Sequence, residues 1–302
     1  MKYLRITAIL WLLTTVFACS KDDPAPKDES TPPPPSPVET VELREQLIGK
    51  WTLDAGFSLS PVAVQQRAAI KGDAARAIVK KMDVTLQAVE GGTAFIEFLD
   101  DDTYLLVDAN GITFSGLFEI DGNDAVVLSD LGNISELVIE GGKISFKFTN
   151  AETSETVTAT GSRVEVLDLD DRTNKLVHTW ELLPEADGKS FFEEPLEIWG
   201  ENDTVATDTV MVTRATVTFS ASGTYIVRMY ADGEKLVMAE ASNWQWHSTD
   251  ANKFVYWTPG WELDEEEDSI EITKLDDSSL HTLESWEEEE GNMVTSVLHF
   301  KR

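Results

Sequence analysis

Leu47-Ile48-Gly49-Lys50-Trp51-Thr52-Leu53 and Leu176-Val177-His178-Thr179-Trp180-Glu181-Leu182 are two renderings of one pattern. Each opens on two aliphatic residues, sets a tryptophan in the fifth place and closes on leucine. Downstream of the first, Phe95-Ile96-Glu97-Phe98 leads to Asp102-Thr103-Tyr104-Leu105-Leu106. Downstream of the second, Thr216-Val217-Thr218-Phe219 leads to Gly223-Thr224-Tyr225-Ile226-Val227. Each copy ends on a strand-like segment finishing in arginine, Thr156 to Arg163 and Val294 to Arg302. Landmarks that recur in one order indicate an internal duplication.

Within both copies the dominant period is two. Phe146 and Phe148 flank Lys147, Val217 and Phe219 flank Thr218, and Ile270 and Ile272 flank Glu271. Gly91-Gly92, Asp121-Gly122, Gly141-Gly142 and Asp232-Gly233 punctuate these runs as turns. Short alternating segments joined by tight turns predict an all-β chain of two tandem small antiparallel β-barrels. The expected domains are 43–167 and 172–302, joined at the acidic stretch Asp168 to Asp171. Sequence alone does not decide whether such barrels are hollow or filled by their own side chains.

The Leu-x-Gly-x-Trp start and the mid-domain Gly-Thr-Tyr resemble the lipocalin-like domains of bacterial surface lipoproteins. Gly49 and Trp51 match in the first unit, where Asp102 replaces the mid-domain glycine. Gly223-Thr224-Tyr225 and Trp180 match in the second, where His178 replaces the first glycine. The resemblance implies up-and-down barrels whose tryptophan closes the base. Its motifs are structural, and it carries no ligand residues onto this chain.

One segment departs from the strand pattern. Residues 61–83 are rich in Ala, Gln, Lys and Arg and follow the cap-like Ser60-Pro61. Ile70, Ala74, Ala77, Ile78 and Met82 share one face at helical spacing, opposite a basic face that includes Arg67, Lys71 and Arg76. A helix is expected here, packed against barrel one. The equivalent stretch of unit two, Leu183 to Met211, reads as an acidic loop region.

Ahead of the barrels, Lys2 and Arg5 precede the uncharged run Ile6 to Phe17, which ends at Ala18-Cys19. A charged start, a short apolar run and a small residue describe a signal peptide over residues 1–18. That run is well short of the ~20 residues of a membrane-spanning helix. A cysteine directly after the cut resembles the lipobox of bacterial lipoproteins, which implies acylation of Cys19. Ser20-Lys21-Asp22-Asp23 resembles the surface-export signal of Bacteroidetes-type lipoproteins, implying an outer-membrane anchor facing the exterior. Residues 19–42 are rich in proline and polar residues, among them Pro32 to Pro35, and read as an extended tether.

The formal net charge of −31 disfavours nucleic acid and anionic headgroups as partners. Cys19 is the only cysteine, so an acylated chain has no disulfide and no thiol nucleophile. No nucleophile elbow, phosphate loop or dinucleotide fingerprint is present. His178, His247, His281 and His299 lack helical metal spacing, and the acidic runs 262–268 and 287–290 lack the spacing of a calcium loop. No cofactor, metal or catalytic residue is expected.

Tryptophan is the suggestive residue. Past the signal, unit one holds Trp51 alone, whereas unit two holds Trp180, Trp199, Trp244, Trp246, Trp257, Trp261 and Trp286. Indole faces make platforms for sugar rings, and they also fill small barrels. Trp257, Trp261, Trp244 and Trp246 are the candidate ligand residues, the first two flanking a Pro259-Gly260 turn. The expected function is non-enzymatic binding of a glycan or small amphipathic molecule at the cell surface. The alternative is an accessory or structural subunit of a surface complex with a protein partner. A glycoside hydrolase is less favoured, because 55 acidic residues single out no carboxylate pair.

Overall fold

The computed structural model describes residues 37–54, 57–59, 67–69, 93–193, 195–199, 206–258, 262–266, 268–289 and 292–302. In chain order the first half runs α1 (Pro37–Leu47), β1 (Gly49–Leu53), β2 (Arg67–Ala69), β3 (Phe95–Phe98), β4 (Thr103–Val107) and β5 (Thr113–Ile120). It continues with β6 (Val126–Leu128), β7 (Gly132–Glu140), β8 (Lys143–Asn150) and β9 (Thr156–Arg163). The second half runs α2 (Asp171–Leu176), β10 (Thr179–Leu182), β11 (Glu185–Ala186), β12 (Lys189–Ser190), β13 (Leu196–Trp199) and β14 (Ala206–Val210). It ends with β15 (Arg214–Phe219), β16 (Thr224–Ala231), β17 (Lys235–Trp246), β18 (Lys253–Trp257), β19 (Ser269–Leu275), β20 (Ser279–Glu289) and β21 (Asn292–Lys301).

The chain is all-β, with two closed eight-stranded antiparallel barrels. Barrel one is β1, β3 to β9, and barrel two is β10, β15 to β21, each an up-and-down meander. Barrel one closes where Trp51 faces Arg163 and Leu53 faces Gly161, and barrel two closes where Leu182 faces Phe300. The alternation seen in the sequence becomes inside and outside. On β8, Ile144, Phe146 and Phe148 are buried in the core while Lys143 and Lys147 face out. Gly141 and Gly142, at φ 56° and 74°, make the turn before it, in the left-handed conformation that two-residue hairpins favour.

Each barrel is plugged at its base by a tryptophan tied to the preceding helix. Trp51 Nε1 donates to the Leu47 carbonyl at 2.8 Å, and Trp180 Nε1 to the Leu176 carbonyl at 2.9 Å. The Arg163 guanidinium lies over the Trp51 ring at 4.2 Å and donates to the carbonyls of Ile48 and Gln46. On Trp180 the neighbouring ring is His178, edge-on at 6.2 Å.

Several expectations change in detail. Helix α1 begins at Pro37, inside the stretch read as tether. Of the helix expected over 61–83, only Arg67–Ala69 lies within the described residues, and those three form β2, not helix. Their backbone pairs with β13, so sheet hydrogen bonds outweigh local helical preference there. The stretch read as an acidic loop, Leu183 to Met211, contains the hairpin β11–β12 and the pair β13–β14. At the acidic joint, Asp170 caps α2 by accepting from the Thr173 amide at 2.6 Å. The hydrogen bond also holds the Asp170 carboxyl below the usual range.

β3, β4, β15 and β16 are buried on both faces, because barrel one and barrel two pack on each other there. Phe95, Leu99, Leu105 and Val107 of barrel one meet Ile226 and Ala241 of barrel two. Runs such as Thr103–Val107 therefore read as continuously apolar, as strands covered on both sides do.

Candidate functional site

Three places gather functional side chains: the tryptophan-rich part of barrel two, its interior, and the seam between the barrels.

In the first, packing engages two of the four candidate tryptophans. Trp244 is buried, stands edge-on to Phe219 at 5.4 Å and donates to the Ser220 carbonyl at 3.1 Å. Trp246 is half-buried, edge-on to Trp244, with its Nε1 donating to Thr173 Oγ1 at 2.9 Å. Arg172 covers its ring at 3.4 Å. Both indoles thus have their faces or edges engaged by the protein. Trp257 ends β18, half-buried and on the opposite side of that strand from the inward Tyr256. Trp261 lies outside the described residues, as do Cys19 and Ser20-Lys21-Asp22-Asp23. The structure brings Trp244 and Trp246 together and leaves Trp257 the one described candidate without a ring contact to them.

The acidic run beyond Trp257 is folded onto itself. The Asp264 amide donates to Asp268 Oδ2 at 3.0 Å, and the Ser248 amide and hydroxyl donate to Glu265.

The interior of barrel two holds a polar group that sequence reasoning passed over. Leu280, Thr282 and Glu284 alternate along β20 and are all buried, so the Glu284 carboxylate stands inside. Burial first, and Glu284 second, push the Tyr225 and Tyr256 hydroxyls far above the usual range. The period-two pattern of β20 carries this signal, once Leu280 is known to face in.

Among the described residues, large side chains pack both interiors. Trp51, Tyr104, Phe98 and Phe148 fill barrel one, and Trp180, Trp244, Phe219 and Phe254 fill barrel two. A depression at one end of barrel one, bounded by Ser58, Leu59, Phe148 and Asn150, has room for roughly one water.

The seam carries the strongest charge. Arg228 is 2% exposed and reaches from β16 to three hydroxyls. Its Nε donates to Ser115 Oγ at 2.9 Å, Nη1 to Thr218 Oγ1 at 3.1 Å and Nη2 to Thr103 Oγ1 at 3.1 Å. Glu97, 1% exposed, supplies countercharge to Arg228 and to Lys50, whose ammonium donates to Thr224 Oγ1 at 3.0 Å. Burial, opposed by Glu97, lowers the Lys50 ammonium from its usual range. Thr179 adds a fourth crossing by donating to Asp101 Oδ2. These partners lie far apart in the chain, so no local motif marks them.

Among the described residues no helix is long and apolar enough to cross a membrane. No family model and no curated protein matches the chain. Solved structures do align with it. One is a protein of unknown function from the DUF3598 family of Nostoc punctiforme PCC 73102, at 9% identity over 87% of this chain and 98% of that one, with a TM-score of 0.20. Another is intact Ap-TbpB with its N and C lobes, at 10% identity over 70% and 66%, with a TM-score of 0.17. A third is isotype 1 transferrin binding protein B from serogroup B Neisseria meningitidis, at 11% identity over 70% and 65%, also with a TM-score of 0.17. Likeness at these scores carries no functional implication.

Proposed function

We propose that this chain is a non-enzymatic binding lipoprotein, anchored through Cys19 in the outer membrane and facing the exterior. It engages its ligand on the outside of the barrels and not in a lumen. The observation that carries this reading is the filled interior of both barrels, where large side chains occupy the space a carrier leaves for cargo. The anchor rests on the lipobox-like Ala18-Cys19 and the proline-rich stretch behind it. Within this reading the glycan platform narrows to the outer side of β18 around Trp257, because Trp244 and Trp246 are committed to packing.

Two measurements test it. Labelled palmitate is incorporated by the native chain and not by Cys19→Ser, and protease added to intact cells removes the native protein. Fluorescent fatty-acid analogues leave the spectrum unchanged, while cell-surface glycans quench tryptophan emission in the native chain and not in Trp257→Ala. Saturable one-to-one uptake of the fatty-acid analogue overturns external binding.

One observation favours the accessory-subunit reading. Leu117, at 61% exposure, and Val138, at 55%, put apolar side chains on the outside of β5 and β7. A single subunit recovered from gently solubilised membranes counts against that alternative.

A further inference from the structure

His281 and His299 face each other across the β20–β21 pair, their rings stacked with centroids 3.9 Å apart and planes 25° apart. Leu280, Thr282, Leu298 and Phe300 point into barrel two, so alternation turns both imidazoles to its outer face. Both residues are half-buried, and neither ring makes a hydrogen bond among the described residues. Their nitrogens are therefore uncommitted to other described residues.

The surroundings hold acids as well as lysines. β19 presents Lys274, paired in register with His281, but its ammonium is held by Asp276 Oδ2 at 3.2 Å in the following turn. Asp187, in the β11–β12 turn, also acts on His281. On the neighbouring strand β10, Glu181 is engaged by Lys301 at 3.0 Å. A chain of net charge −31 raises the local concentration of cations further. Burial first, then His299 and Lys274, hold His281 below the usual histidine range, so it is neutral near pH 7, the state in which imidazole binds metal.

Imidazole nitrogens select late first-row divalent ions over calcium and magnesium, with copper(II) strongest. Two such nitrogens bind one ion at about 2.0–2.1 Å each. Rings already stacked on the same side of a rigid hairpin need only rotate about their side-chain bonds to converge. No group of three or more His, Cys, Asp or Glu among the described residues is placed to hold an ion, so water completes the coordination. We propose that His281 and His299 form a two-imidazole site for a divalent transition-metal ion, copper(II) foremost, on the outer face of barrel two. The site is independent of the external ligand proposed above.

The test is copper(II) titration of the purified chain at pH 7.5, with glycine present to strip weak sites, read by electron paramagnetic resonance. One ion per chain with superhyperfine coupling to two imidazole nitrogens is expected. His281→Asn and His299→Asn each lose that coupling and weaken binding tenfold or more. The double variant His178→Asn/His247→Asn keeps the coupling, since it leaves only this histidine pair. The native spectrum is decisive without any variant: coupling to one imidazole or none overturns the site. Equal copper affinity in the native chain and in His281→Asn/His299→Asn, with matching circular dichroism, overturns it as well.

Discussion

Trp180 does in barrel two what Trp51 does in barrel one: each indole N–H caps the last carbonyl of the helix that leads into its barrel, at 2.9 and 2.8 Å. Helix ends leave such carbonyls without partners inside the helix; Leu47 relies on the indole, whereas Leu176 also accepts from the His178 amide at 2.8 Å. One contact thus fixes both the entry angle of the helix and the closure of the barrel base.

Trp51→Phe and Trp180→Phe keep most of the apolar volume and remove the donor. Trp51→Phe leaves the Leu47 carbonyl without its donor, which costs about 1–3 kcal/mol; Trp180→Phe costs less, because the Leu176 carbonyl still accepts from the His178 amide at 2.8 Å. Trp→Ala at either site adds a cavity and costs about 3–5 kcal/mol. Urea unfolding measures both. Phe variants as stable as the native chain would show that the indole serves by bulk alone.

Arg228 makes a second prediction. Replacing it with methionine removes three hydrogen bonds and a buried positive charge on which Asp101 and Glu97 of barrel one act. Hydrogen bonds to a charged group contribute about 1.5–3 kcal/mol each. The apolar part of the seam stays, so Arg228→Met loosens the docking of the barrels without unfolding either one. X-ray scattering shows a larger radius of gyration, and limited proteolysis cuts faster near 164–170. Arg228→Met/Glu97→Leu, which removes both charges, recovers part of the loss. A variant as compact and as stable as the native chain would mean that the apolar contacts alone set the docking.

The barrels were legible because their signals are local. Trp51 and Trp180 announce themselves by neighbours, and the inside of β8 can be read from three residues. The seam was not legible, because Arg228 meets Thr103 and Ser115 from the other barrel. His281 and His299 escaped for the same reason: helical spacing is the wrong test for a pair made by strand register. Tryptophan allowed two readings, sugar platform or barrel filler, and Trp180, Trp244 and Trp246 spend their rings on Leu176, Phe219, Arg172 and each other. The pattern at 61–83 suggested helix, and its described residues, Arg67 to Ala69, instead pair with β13.

The buried tyrosines predict an alkaline limit. Burial raises the hydroxyls of Tyr104, Tyr225 and Tyr256 above their usual range, with Asp130 adding to the first and Glu284 to the other two. A raised folded-state value means that the native chain keeps protons the unfolded chain releases. Their contribution is intact below about pH 10 and is lost as pH rises beyond it. Absorbance at 295 nm therefore shows these three ionising late and slowly, together with loss of circular dichroism. Tyr225→Phe and Tyr256→Phe each shrink that slow phase. Reversible ionisation of every tyrosine near pH 10, with the fold intact, contradicts this reading.

Gly161 sits where barrel one closes, opposite Leu53 of β1 and beside Ile144 of β8. A methyl group there would come 2.4 Å from the Thr52 carbonyl oxygen and 3.2 Å from Ile144 and Leu53. The first of these atoms is backbone, so relief requires β1 and β9 to separate. Gly161→Ala is expected to cost about 1–3 kcal/mol, the range for forcing extra atoms into a packed core. The exposed Thr158→Ala on the same strand stays within about 0.5 kcal/mol. Amide exchange locates the damage: protection falls along β1 and β9, while β16 and β17 of barrel two keep theirs. Uniform loss across both barrels would show instead that the seam transmits closure from one barrel to the other.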